Sequence, residues 1–406
     1  MNTELQQDIA ALTDTVKRFT LDRIAPHVAQ WDEAGEFPRE LYREAAALGL
    51  LGLGYPEELG GTPAPHAMRN AVSTTMSRYG GSGGVMASLF SHNIGLPPVL
   101  RHGSPEVQQE VVPPVLRGER IAALAITEPG GGSDVASIRT TARREGDDWL
   151  INGEKVFITS GMRADWITTA VRTGEPGSNE PPRFAAPRGG VDVLGRPGGV
   201  KGAGGISMLL VPGDVAGLSR SELKKMGWWC SDTAHLRMDN VRVPARYLLG
   251  EEGGGFKIIM SNFNGERLGM SAMALGFAQA CFDEALDWSR QRKTFGAALV
   301  ERQVIRHKLV DMQMRIASTQ AWLDAVTARV DAGDKSPDWV AQVCMLKNHA
   351  TQTLQFCADQ AVQILGGMGY MRGTKSERIY REVKVMMIGG GAEEIMKDLA
   401  ARQLNL

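Results

Sequence analysis

The chain is poor in cysteine, with four in 406 residues. Cys230, Cys281, Cys344 and Cys357 form no CxxC pair and no metal-ligand spacing. A disulfide scaffold and a zinc module are both excluded, and buried reduced thiols are expected. The seven histidines are scattered with no HxxxH or HExxH pattern, so no protein-held metal is expected. Charge of one sign is also lacking. The net value is −1, which removes any global attraction to nucleic acid or to an anionic membrane surface. No apolar run approaches membrane-spanning length. The first residues, MNTELQQDIAALTDTVKRF, have neither the continuous apolar stretch of a secretion signal nor the acid-poor composition of a transit peptide. A cytoplasmic location, with no nucleic-acid or membrane partner, is the expectation.

What is present divides the chain by period. Up to about residue 121 the apolar residues recur at helical spacing, as in Leu5, Ile9, Leu12, Val16 and Phe19 and in Leu41, Ala45, Leu48 and Leu51. An apolar helix is expected at about 85–100. Ser104-Pro105 reads as the start of another, with Ser104 capping and Pro105 in the first turn. From 122 to 242 short β-rich runs take over, and Asn152-Gly153 reads as a hairpin turn between Trp149–Ile151 and Lys155–Thr159. From 243 to 406 the helical period returns in long stretches, one of them from about Glu266 to Arg292. The expected fold class is α+β: an N-terminal helical domain (1–121), a middle β-barrel-like domain (122–242) and a C-terminal four-helix bundle (243–406).

Two features stand out in the middle region. Between Thr173 and Gly205, ten of 33 residues are Gly and five are Pro, with Arg183, Arg188, Arg196 and Lys201 among them. That composition reads as a surface insertion without regular structure. A functional alternative gives its arginines to a phosphate or to a neighbouring subunit. The second feature is a pair of strand ends. ALAITEPGGGSD (Ala123–Asp134) ends a buried strand and opens a glycine loop that lets backbone approach a ligand closely. KVFITS (Lys155–Ser160) ends in small hydroxyl residues. Together they suit a flat polar ring that needs hydrogen bonds along one edge, such as a flavin. On these residues alone two surface hairpins with glycine turns is the stronger reading.

Four stretches carry a resemblance that covers nearly the whole chain. ITEPGGGSD (Ile126–Asp134), FITSG (Phe157–Gly161), RKTFGAALVERQ (Arg292–Gln303) and QILGGMGY (Gln363–Tyr370) resemble the acyl-CoA dehydrogenase family. The resemblance implies FAD as cofactor. It places Leu124, Ile126, Thr127, Phe157 and Thr159 along the isoalloxazine, with Phe157 where most members have Trp. Gly132 and Ser133 would let the chain approach the phosphates of the FAD and the pantetheine of the substrate. Arg292, Thr294, Phe295 and Gln303 match positions that reach the FAD of a neighbouring subunit, and Gln363 and Gly367 match contacts to its adenosine half. Glu394 and Ala392 stand where the family commonly has Gln and Thr. A shared site implies a homo-oligomer, usually a tetramer. The implied partners are an acyl-CoA substrate and an electron-transfer flavoprotein as acceptor.

The resemblance also implies a base for the α-proton of the thioester. Most members carry it as Glu in the last interhelical turn, where this chain has Gly390. A smaller group, typified by isovaleryl- and long-chain acyl-CoA dehydrogenases, places it on the long helix. That position falls on Glu266, within Asn264-Gly265-Glu266-Arg267-Leu268. Glu266 is therefore the expected catalytic base, and the Gly390 backbone N–H the expected donor to the thioester carbonyl. Asn264 matches a pantetheine contact and Arg267 a neighbour of the base. Gly389 replaces a frequent Tyr, so extra volume beside the acyl chain points to a branched or long substrate. Two other classes share the fold: a flavin oxidase or monooxygenase, and a non-catalytic FAD-binding protein acting on nucleic acid.

Overall fold

The computed structural model describes residues 3–174 and 204–406, so most of the Gly/Pro/Arg stretch at 173–205 lies outside the described residues. The chain opens with α1 (Thr3–Phe19), α2 (Val28–Ala34), α3 (Glu40–Ala47), α4 (His66–Gly80), α5 (Gly83–Leu89), α6 (His92–Gly95), α7 (Pro97–His102) and α8 (Pro105–Leu116). Where one apolar helix was expected at about 85–100 there are three short ones, because Ser91 and the Leu96-Pro97-Pro98 sequence restart the chain twice. Ser104 does cap α8, its Oγ accepting from Val107 N at 3.3 Å.

The sheet follows: β1 (Ala122–Ala125), β2 (Thr141–Glu145), β3 (Asp148–Thr159), β4 (Trp166–Arg172), β5 (Ile206–Pro212), β6 (Leu218–Glu222), β7 (Thr233–Pro244) and β8 (Leu248–Leu249). Its order is β6-β7-β3-β2-β4-β5-β8, with β1 added parallel to β4. Asn152-Gly153 is not a hairpin turn. It lies inside the single long strand β3, at a break in register against β7 between Ile151 and Gly153. The Asn152 side chain holds the break, its Oδ1 accepting from Asn240 N at 2.9 Å. The hairpin turn is instead at Gly146-Asp147, between β2 and β3. Gly146 has φ +60° there. A second break, between Lys155 and Ile158, is a β-bulge that turns Phe157 outward with φ +62° and 68% exposure. Bulges re-aim side chains in this way, and a bulky residue at positive φ is costly unless its surroundings impose it.

The chain ends in α9 (Gly255–Gln291), a small hairpin β9–β10 (Lys293–Thr294, Ala297–Ala298), α10 (Gln303–Asp331), α11 (Pro337–Leu365), α12 (Gly367–Tyr370), α13 (Lys375–Ile388) and α14 (Glu393–Gln403). α11 lies against α9, α10, α13 and α14, and one continuous apolar core runs through the helices and the inner sheet face. α9 starts at Gly255, not near Glu266, so Glu266 stands inside a long helix rather than at a helix start. No helix is long and apolar enough to cross a membrane among the described residues.

Candidate active site

The two strand ends lie side by side. Val156 N donates to Thr127 O at 2.8 Å. Beneath them is an ion pair that composition and motif do not reveal. Lys155, with 0% exposure, donates through Nζ to Glu128 Oε1 at 2.8 Å and to Ile126 O at 2.9 Å. Glu128 also accepts from Arg139 N at 2.6 Å and Thr140 N at 2.9 Å. Burial draws the Lys155 ammonium down to about 8, against the opposing pull of Glu128. The outcome is a rigid edge at Ile126-Thr127 and Val156–Thr159. Thr127 and Thr159 are half-buried, and Gly132 and Ser133 are exposed at its side. A Cβ on Gly132 would meet only the Thr127 methyl, at 3.6 Å.

α6 fastens the long helix to this edge. A Cβ on Gly95 would stand 3.0 Å from Ala123 O, so only glycine lets α6 approach β1 this closely. Thr168 Oγ1 donates to Gly95 O at 2.7 Å, and Asn262 Nδ2, on α9, donates to Ile94 O at 3.0 Å. One turn beyond Asn262 comes Glu266. Its Oε2 is sealed from solvent and accepts no hydrogen bond. Burial pushes its carboxyl up to about 7, while the nearby cations Arg267 and Lys347 pull the other way.

Against Glu266 stands the turn between α13 and α14. Gly390 has φ +67°, and a Cβ there would lie 2.9 Å from Met270 Sδ and 3.7 Å from Glu266 Oε1. The position favours glycine both by conformation and by space. Arg267 is 5% exposed. It donates through Nε to Gly390 O at 3.0 Å and through Nη1 to Asn264 Oδ1 at 3.1 Å. Gly389 donates its N–H to Val385 O at 2.7 Å and closes the last turn of α13. Glu266, Arg267, Asn264, Gly389 and Gly390 are thus brought into one cluster. Met270 and Lys347 join it, and sequence reasoning named neither for the site. Met270 carries only a core signal. Lys347 had a detectable one, a charged residue on the apolar face of α11.

A second group of expected residues is exposed, apart from the half-buried Thr294. Arg292 ends α9, and Phe295-Gly296 form the two-residue turn of β9–β10 with φ +51° and +81°. Phe295 is 99% exposed. Thr294 O accepts from Arg302 Nη2 at 2.8 Å, and Gln303 opens α10. Gln363 and Gly367 are exposed where α11 gives way to α12, and Glu394 is exposed in the first turn of α14.

A buried, unpartnered carboxyl oxygen on a long helix, set against a backbone turn, is the arrangement of an enzyme site that moves a proton. Three sequence-family models match the chain: "Acyl-CoA dehydrogenase, N-terminal domain" over residues 6–119, "middle domain" over 123–202 and "C-terminal domain" over 253–405. The chain belongs to the acyl-CoA dehydrogenase family. It is 34% identical over 397 residues to the long-chain specific acyl-CoA dehydrogenase of Mus musculus mitochondria, covering 96% of this chain and 85% of that one. It is also 34% identical over 402 residues to the cyclohexane-1-carbonyl-CoA dehydrogenase of Geobacter metallireducens, covering 98% and 97%. Among solved structures, a putative acyl-CoA dehydrogenase from Mycobacterium smegmatis superposes with a TM-score of 0.89 at 42% identity, over 100% of this chain and 98% of that one. The protein is an oxidoreductase of this family, whose members are FAD-dependent flavoproteins.

The residues present fit that cofactor. The strand edge offers backbone and Thr groups without an intruding side chain at Gly132. Phe157 is turned out of the sheet by its bulge.

Proposed function

We propose that Glu266 takes the α-proton of an acyl-CoA thioester whose carbonyl oxygen is held by the Gly390 N–H. The observation that carries this is the Glu266 carboxylate, whose Oε2 is sealed from solvent without a hydrogen-bond partner and whose Oε1 lies toward Gly390. A carboxylate in that state is a stronger base than one in water, because desolvation penalises its charge. The Gly390 N–H is a fixed donor for the enolate-like charge that builds on the thioester oxygen. FAD, when bound, supplies the acceptor for the hydride that leaves the β-carbon, so the product is the trans-2-enoyl-CoA. Leu124, Ile126, Thr127, Phe157 and Thr159 would hold its ring, with Gly132 and Ser133 beside its phosphates. Ser133 and Asn264 would meet the pantetheine. Arg267 keeps the turn in place through the Gly390 carbonyl.

The base must be ionised to act. Substrate-dependent flavin bleaching is therefore expected to rise with pH through about 7 and to level off above it, since Glu266 is protonated below that value. Anaerobic stopped-flow absorbance over this range tests the reading. A rate already flat from about pH 5 upward would remove Glu266 from the role.

Gly389 leaves its side of the turn without a side chain, which favours a branched or long chain, while the space at Gly390 is taken by Met270. Anaerobic titration with straight, branched, cyclic and long acyl-CoAs is expected to show the fastest bleaching with a branched or long member. A straight medium chain preferred by about tenfold over all others, or 1.4 kcal/mol in transition-state terms, would contradict this. Slow reoxidation of the substrate-reduced enzyme in air is expected, with an electron-transfer flavoprotein as acceptor. Rapid reoxidation would favour the oxidase alternative.

The group at Arg292, Thr294, Phe295, Gln303, Gln363, Gly367 and Glu394, exposed except for the half-buried Thr294, would serve the FAD of a second subunit in a tetramer. A wholly exposed Phe at a hairpin tip supports this, because such a residue gains by being covered. Phe295→Ala is expected to release FAD more readily and to weaken assembly, read by light scattering and flavin fluorescence. An unchanged tetramer with unchanged FAD retention would speak against the shared site.

A further inference from the structure

Lys347, on α11, is among the largest fully buried side chains of the molecule, at 0% exposure. Its ammonium is met by backbone carbonyls, donating to Met387 O at 3.1 Å and to Gly391 O at 2.8 Å. Met387 O belongs to the last turn of α13, where carbonyls lack helical partners and the helix dipole favours a cation. Gly391 O lies on the far side of the turn. One side chain therefore spans the turn from the end of α13 to the approach of α14. Asn348, the next residue, extends the hold by donating to Glu393 O at 2.9 Å. Arg267 grips the same turn from α9 through Gly390 O.

We propose that Lys347 is a positioning residue for proton abstraction: it clamps the Met387–Gly391 segment so that the Gly390 N–H stays beside the Glu266 carboxylate. The proposal rests on the reading of Glu266 and Gly390 given above. Three glycines in succession, Gly389 to Gly391, have little conformational preference of their own. Gly390 and Gly391 sit at φ +67° and +113°, so what holds them must come from outside the turn. A cation is used although burial draws it down to about 8. A neutral apolar residue would leave both carbonyls unpaired.

Its charge has a second effect. The charged groups acting on Glu266 are Arg267 from its own helix and Lys347 from α11, and Cys344, also on α11, acts on both of those cations. Glu393, at the start of α14, acts on Lys347. Lys347 favours the ionised base, so its loss should move the acid limb of the rate profile upward.

The test uses FAD-loaded Lys347→Arg, Lys347→Gln and Lys347→Met, with Glu266→Gln beside them. Flavin content and acyl-CoA dissociation constant are measured first, then anaerobic bleaching against pH. Lys347→Met is expected to bind acyl-CoA within about threefold of wild type but to bleach roughly tenfold or more slowly, with its acid limb raised by about one pH unit. Lys347→Gln keeps donors without charge and should show the raised limb with a smaller rate loss. Lys347→Arg should keep the wild-type limb. Should Lys347→Met fail to fold, the Gln and Arg variants decide the matter alone. The proposal is overturned if Lys347→Gln has the wild-type acid limb, or if all three variants lose rate equally with no shift. Bleaching by Glu266→Gln at near wild-type rate would overturn the reading of the base instead, a result distinct from either.

Discussion

Glu266→Gln is expected to bind FAD and acyl-CoA as the wild type does and to lose about 10²–10⁴-fold in the rate of substrate-dependent flavin bleaching, the range for removal of a general base. The substitution keeps the shape of the side chain and removes its basicity. The variant also loses the limb near pH 7, because the group that titrates there is gone. It should in addition be the more stable protein at pH 8. The folded-state value of Glu266 lies above its ordinary 4.5, so the neutral form is favoured on folding. That contribution is full below about 4.5 and is lost as pH rises through about 7. At pH 8 the wild type must hold a charge on a carboxylate whose Oε2 is sealed and unpartnered, and the Gln variant need not. Lower activity with a higher melting temperature is the pattern of a site strained for function. Bleaching within tenfold of wild type, or a lower melting temperature at pH 8, would contradict this account.

Lys155→Met is expected to have the largest effect on stability. It leaves the buried Glu128 carboxylate without its cation and Ile126 O without a donor. Breaking a buried pair from one side costs about 3–5 kcal/mol, because the remaining charge cannot be solvated. The damage falls on the two strand ends expected to hold the flavin ring, so loosened FAD should accompany lost stability. Denaturant unfolding and the rate of flavin release measure the two together. Lys155→Met combined with Glu128→Gln should recover part of the loss, since no unpaired charge then remains. A single variant within about 1 kcal/mol of wild type would show that the pair does not hold the edge.

The order of elements was legible because period is legible. Leu5 to Phe19, the β-rich runs after 121 and the long helices after 250 repeat at the spacing of the structure each adopts. Glu266 was legible through a coincidence of two positions, a Glu on the long helix and a Gly in the last turn. Those two meet in space. Other features were not readable, for identifiable reasons. Asn152-Gly153 has hairpin chemistry, yet the Asn152 side chain uses it to brace a bulge against Asn240, a residue far along the chain. Glu128 lies in the stretch that ends a strand and opens a glycine loop, and only the fold brings Lys155 beneath it. Lys347 could be seen as a charge on an apolar helix face, but its partners are carbonyls, which every residue has. Contacts to backbone leave no pattern in side-chain types, and the turn at Gly389–Gly391 is held almost wholly by such contacts.

The central claim is that Glu266 removes the α-proton, and it can be measured without any hydride transfer. An acyl-CoA with α-hydrogens and a quaternary β-carbon, 3,3-dimethylbutanoyl-CoA, has no β-hydrogen to give up. Incubated in D2O with the FAD-loaded enzyme and followed by proton NMR, its α-hydrogens should exchange for deuterium with wild type at a rate that rises through about pH 7. With Glu266→Gln they should remain. Exchange by Glu266→Gln at the wild-type rate would show that another group takes the proton.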